Sequence, residues 1–82
     1  MSDEVVEIGE DVEIAVVLDE NGEPVGAVID DLIVATGADG TIVDETIDVL
    51  DADGNLVVED EIISVYDADG NLIVSEETIT EV

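Results

Sequence analysis

The chain has no cysteine, histidine, lysine, arginine, glutamine, phenylalanine or tryptophan, and one each of proline, tyrosine and methionine in 82 residues. Each absence excludes something. Without cysteine there are no disulfides, no thiol catalysis and no soft-metal sites. Without histidine, cysteine or lysine the usual nucleophile and base pairs cannot be assembled. Without large aromatics the interior must be thin and aliphatic, and there is no aromatic platform on which a sugar or base could stack. The longest apolar runs, such as Ala15 to Leu18 and Leu32 to Ala35, are far too short to span a bilayer. The acidic opening "MSDEVVEIGE" reads as neither a secretory nor a mitochondrial leader.

The missing positive charge is the most unusual absence. Ordinary usage would place roughly 10 lysines and arginines in a chain of this length; here 25 Asp and Glu stand uncompensated, for a net charge of −25. Nucleic acids and anionic membranes would be repelled, and a cationic protein is the partner that such a surface suits. A designed or deliberately reduced alphabet accounts for the seven missing residue types. The natural counterpart is a halophile-like protein, kept soluble in concentrated salt by its acids.

What is present is aliphatic. Hydrophobic residues make up 46% of the chain, too many for disorder despite the charge. Val and Ile crowd the apolar segments and helix signals are poor, so the expected class is all-β. Length gives one domain, 1–82, with marginal stability.

Turns punctuate the chain at "LDENGEP", "TGADGT", "LDADGN" and "YDADGN". Each has Asp or Asn directly before Gly, as expected where a type I turn is followed by a left-handed residue. The leading Asp of three of them, Asp19, Asp51 and Asp67, is placed to accept backbone N–H bonds. Four hairpins make a meander of at least five strands. The chain also repeats itself: Asp44–Val58 matches Asp60–Val74 at eleven of fifteen positions. The inter-turn segments run about a dozen residues, and their apolar alternation slips phase once, at Asp30-Asp31, Asp44-Glu45, Asp60-Glu61 and Glu76-Glu77. A β-bulge at each acid pair would restore the alternation and bend the strand. Leu56, Val58, Ile63 and Val65 would then share one face. Long strands bent at mid-length suit a small antiparallel β-barrel of about six bent strands joined by tight Asp/Gly hairpins. Adjacent apolar residues such as Val16-Val17 and Ile62-Ile63 leave some hydrophobics on the outer strand faces, candidates for a homodimer contact.

"DENGEPVGAVIDDLIVATGADGTI", Asp19 to Ile42, with Gly22, Gly26 and Val28 in a Gly-x-x-x-Gly-x-Val spacing, resembles the opening hairpin of the PRC-barrel family of small six-stranded barrels. "LVVEDEIISVYDADGNLIV" is similar to that family's closing strands. The resemblance implies a protein-binding adaptor without catalytic residues.

"DADGN" raises calcium, with Asp51, Asp53, Asp67 and Asp69 as the ligands to weigh. An EF-hand loop needs Gly at its sixth position and Glu at its twelfth; here Gly54 is fourth and Ile62 twelfth, counting from Asp51. What these aspartates offer is weak, non-specific contact with monovalent or divalent cations, and no cofactor is expected. Two carboxylates alone can hydrolyse a glycoside, but only with one raised pKa beside a sugar-sized cleft. The acid pairs read instead as solvated corners, and Tyr66 as a packed strand end. The expected function is therefore that of an acidic β scaffold without catalytic activity. A PRC-barrel-like adaptor and a weak cation-binding module are the alternatives.

Overall fold

A computed structural model describes residues 6–82; the first half of the acidic opening stretch lies outside them. The chain forms five strands, β1 (Glu7–Leu18), β2 (Pro24–Gly37), β3 (Gly40–Asp51), β4 (Leu56–Asp67) and β5 (Leu72–Glu81). They make one antiparallel meander in the order β1-β2-β3-β4-β5. The all-β, antiparallel reading holds. The barrel does not form: the sheet has five strands and stays open, with β1 and β5 as free edges. No helix of the described residues is long and apolar enough to cross a membrane.

Three of the four turns are built as their sequences dictate. The N–H of Gly22, Gly54 and Gly70 donates to the carbonyl of Asp19, Asp51 and Asp67 at 3.0–3.1 Å. Each of these glycines adopts a left-handed φ of 79° to 88°, cheap only without a Cβ. One carboxylate oxygen, Oδ1, of the leading Asp then accepts two further backbone N–H bonds: from Asn21 and Glu23, from Asp53 and Asn55, and from Asp69 and Asn71, at 2.8–3.0 Å. The ladder shifts by one residue beside each of these turns, at Val17/Leu18, Val49/Leu50 and Val65/Tyr66. The fourth turn, Ala38-Asp39, is a two-residue loop between the paired Gly37 and Gly40 and carries no shift.

Removing the Oδ1 acceptor tests this account. Asp51→Ala is expected to be less stable than Asp51→Asn by about 1 kcal/mol, since both lose the charge and only Asn keeps an acceptor oxygen. Urea melts of the two variants side by side measure the difference.

The bulges are thus at the turns, and none is at an acid pair. Pairing runs unbroken through Asp60 and Glu61 on both sides of β4, and through Asp30-Asp31, Asp44-Glu45 and Glu76-Glu77. The phase slip has a different cause. Cross-strand partners sum to 107 between β3 and β4 and to 139 between β4 and β5 over their regular stretches. Both sums are odd, so neighbours on one face have opposite parity, and a residue sixteen positions later lands on the opposite face. The repeat therefore swaps faces from strand to strand. Val58 lies on one face of β4 and Ile63 and Val65 on the other; they are not gathered on one side.

Two faces of like composition leave no inside. No described residue is buried, every residue of β1 and β5 is exposed, and Ile8 and Ile14 are 72% and 68% accessible. The radius of gyration is 16.7 Å and the extents are 59 × 20 × 19 Å, against the radius of about 12 Å expected of a compact chain of this length. Five strands about 4.8 Å apart account for a width of about 19 Å, and twist gives the cross-section its second dimension. The chain exposes 5948 Å², where a compact protein of its mass would expose about 4,700 Å².

Backbone ladders and cross-strand rows hold this single layer together. One apolar row, Ile8–Ala35–Ile42–Val65–Val74, crosses all five strands, each neighbouring pair contributing roughly 0.2–1 kcal/mol. On the opposite face Ser64 and Ser75 are paired, with their Oγ atoms 3.2 Å apart.

Candidate interaction surface

Register sorts the side chains along the strands into three zones. Aliphatic residues occupy both ends of the sheet, and the acids gather between them in a waist. The face of Ile8 carries seven waist carboxylates: Glu10, Asp31, Asp44, Asp48, Glu59, Glu61 and Glu76. The opposite face carries Asp11, Glu13, Asp30, Glu45, Asp60 and Glu77.

Within the waist the register sets carboxyl against carboxyl. The second acid of one pair meets the first acid of the pair before it: Glu45 meets Asp30, Glu61 meets Asp44, and Glu77 meets Asp60. Glu10 with Asp31 and Glu59 with Asp48 complete the set. In all five the glutamate pKa is raised above its ordinary value, first by a hydrogen bond to the aspartate that needs the glutamate's proton. Charge repulsion from the same aspartate comes second, except at Glu45, where desolvation precedes it. The five aspartates, Asp30, Asp31, Asp44, Asp48 and Asp60, each have Oδ1 closed off from solvent without a hydrogen-bond partner. The acid pairs are not the solvated corners of bent strands that their sequence suggests; they lie in unbroken ladders. The staggered meeting of successive pairs depends on strand register, and the one signal for it was the sixteen-residue spacing.

The aspartates weighed for cations are elsewhere. Asp51 ends β3 with Asp53 in the turn after it, and Asp67 ends β4 with Asp69 in the turn after it, at opposite ends of a twelve-residue strand that spans roughly 40 Å. The structure does not bring the two pairs together. Asp51 and Asp67 spend Oδ1 on their own turns, and the Asp67 pKa is lowered first by the backbone N–H of Asn71. No group of three or more metal-ligating side chains occurs among the described residues.

Two shallow apolar clefts lie beyond the waist, both involving the face of Ile8. One, of about 280 Å³, is lined by Ala35, Ile42, Val65, Tyr66 and Ile73 with Asp39 at its side. The other, of about 230 Å³, lies at the opposite end among Val16, Ala27 and Leu50. Tyr66 closes the end of β4 beside the first cleft. Comparison with family models, with curated proteins and with solved structures finds no match.

Proposed function

We propose that this chain is a non-enzymatic acidic β-sheet scaffold, written in a reduced alphabet, that acts as a protein-interaction module. The observation that carries the reading is that no described side chain is buried. An ordinary domain draws its stability from buried apolar surface, and here that surface stays in water until another protein is laid against it. The excess exposure over a compact chain, about 1,200 Å², exceeds the roughly 800 Å² that each partner buries in an interface of standard size.

The waist is poorly arranged for catalysis. Glycosidase carboxyls stand roughly 5 Å or more apart, with the sugar between them; here each raised glutamate is in hydrogen-bonding contact with its aspartate. The adaptor role implied by the PRC-barrel resemblance belongs to the same class of function. The open sheet favours the binding part of that resemblance over its closed barrel.

Amide hydrogen exchange and sedimentation velocity on the isolated chain test the reading together. Protection is expected to be weak throughout while the chain sediments as an elongated monomer. A monomer with slowly exchanging amides in β2, β3 and β4 would sink the proposal, because that stability would need no partner.

A further inference from the structure

The two faces share a composition, but they are not equivalent in what they offer a ligand. Three of the five sealed, unpartnered aspartate oxygens, those of Asp31, Asp44 and Asp48, lie on the face of Ile8. So do three of the five carboxyl pairs. The residues Ala35, Ile42 and Val65 of one apolar cleft, and Val16, Ala27 and Leu50 of the other, lie on that face too. From the row of Ala35 to the row of Ala27 is eight residues of β2, or about 27 Å.

We infer that the face of Ile8 docks a cationic, amphipathic polypeptide segment, with lysine or arginine at its centre over Asp31, Asp44 and Asp48 and apolar residues at both ends over the two clefts. This rests on the reading of the chain as an interaction module and names the partner's chemistry. Charge selects the occupant. A second copy laid on this face would set seven waist carboxylates against others, with no cation in either chain to answer them. A hydrated metal ion would leave both apolar clefts in water. Nucleic acids and anionic lipids carry the wrong sign. Basic side chains supply the positive charge that the seven waist carboxylates of this face lack within the chain, while aliphatic flanks cover the clefts. The segment spans the distance with about 18 residues if helical or about eight if extended.

The probe is a synthetic 18-residue peptide with leucines in its outer turns and four lysines in its central turns, titrated calorimetrically into the full chain. Poly-lysine, and the same peptide with its leucines replaced by serine, serve as comparisons. Saturable one-to-one binding of the leucine–lysine peptide is expected, with the serine version markedly weaker. The triple variant Asp31→Asn/Asp44→Asn/Asp48→Asn is expected to weaken binding about ten-fold or more, since it removes the charges the lysines meet. Asp30→Asn/Glu45→Gln/Asp60→Asn, which removes the same number of charges from the other face, should leave affinity within about two-fold, the scale of a remote charge effect at physiological salt. Circular dichroism checks that both variants keep their strand content.

Equal loss in the two triple variants, or equal binding by the serine peptide or poly-lysine, would overturn the inference and reduce the effect to unspecific charge attraction. The interaction-module reading would survive that result. If the chain instead sediments as a dimer with protected amides, a second copy covers the sheet. The cationic partner would then be excluded, and the covered-sheet reading would stand.

Discussion

Raising sodium chloride from 0.1 M to 1 M is expected to raise the melting temperature of this chain by on the order of 10 °C, a large shift for a small domain. The screening length falls from about 10 Å to about 3 Å over that range, and the waist holds its carboxylates closer than the former. Calcium and magnesium should act at lower concentration and equally well, with no stoichiometric micromolar site by calorimetry. Acidification should act in the same direction. The pKa values of Glu10, Glu45, Glu59, Glu61 and Glu77 are raised in the folded chain above 4.5. The stability linked to them is full below 4.5 and is lost as pH rises through the folded values. Asp67, lowered from 3.8, works the other way: its contribution is present above 3.8 and is lost as pH falls through its folded value. Five groups outweigh one, so the sheet should be more stable near pH 5 than at pH 8. Aggregation should follow as the charge vanishes near the pI of about 4.1. Melts insensitive to both salt and pH would mean that the waist carboxylates do not repel appreciably.

The second large effect is expected at a glycine. Gly40 pairs with Asp67 and sits at φ +148°. A Cβ built there would collide with the backbone carbonyl oxygen of Tyr66 and crowd the carbonyl carbon of Asp67. Gly40→Ala should therefore cost about 3 kcal/mol or more, since backbone strain and overpacking add where neither neighbour can move aside. That is a large share of the stability of any small domain. Gly26→Ala should cost roughly 1–3 kcal/mol, because its Cβ would meet the Leu50 carbonyl oxygen in an otherwise ordinary strand. Gly9 is the control. Nothing lies within 4 Å of its would-be Cβ, and alanine there should stabilise β1 by about 0.5 kcal/mol. Denaturant titrations of the three variants in 1 M sodium chloride, where screening stabilises the sheet, should rank them in that order, with Gly40→Ala left largely unfolded; an undisturbed Gly40→Ala would refute the close approach of β3 to β4 at this end.

Local chemistry was legible and long-range register was not. Asp51, Gly54 and their counterparts specify their turns through bonds spanning four residues, and the sequence carries all the information those bonds need. Of the Gly22–Gly26–Val28 spacing only the first glycine has a local reading, as a left-handed turn residue; Gly26 answers to Leu50 across the β2–β3 ladder. The parity slip at Asp60-Glu61 was ambiguous in principle, because a bulge that realigns two half-strands and a straight strand that serves both faces leave the same pattern. Assuming a one-sided core favoured the bulge and, from it, the barrel. The unbroken pairing of Glu59, Asp60 and Glu61 with both neighbours selects the straight strand. The meeting of Glu61 with Asp44 was hidden for the same reason, since it exists only once those strands are aligned.

An odd number of strands has a mechanical consequence. β1 and β5 point the same way, so the chain enters the sheet at one end of a body 59 Å long and leaves it at the other. Whatever is joined to those two points is held apart along the strand direction by five parallel struts, each bonded to its neighbours through most of its length. The partner sum steps by thirty-two from the β3–β4 interface to the β4–β5 interface, which makes the sixteen-residue unit a whole-strand increment there. One added copy would widen the sheet by about 4.8 Å and bring the exit back beside the entrance, turning a spacer into a loop; two added copies would restore the spacer.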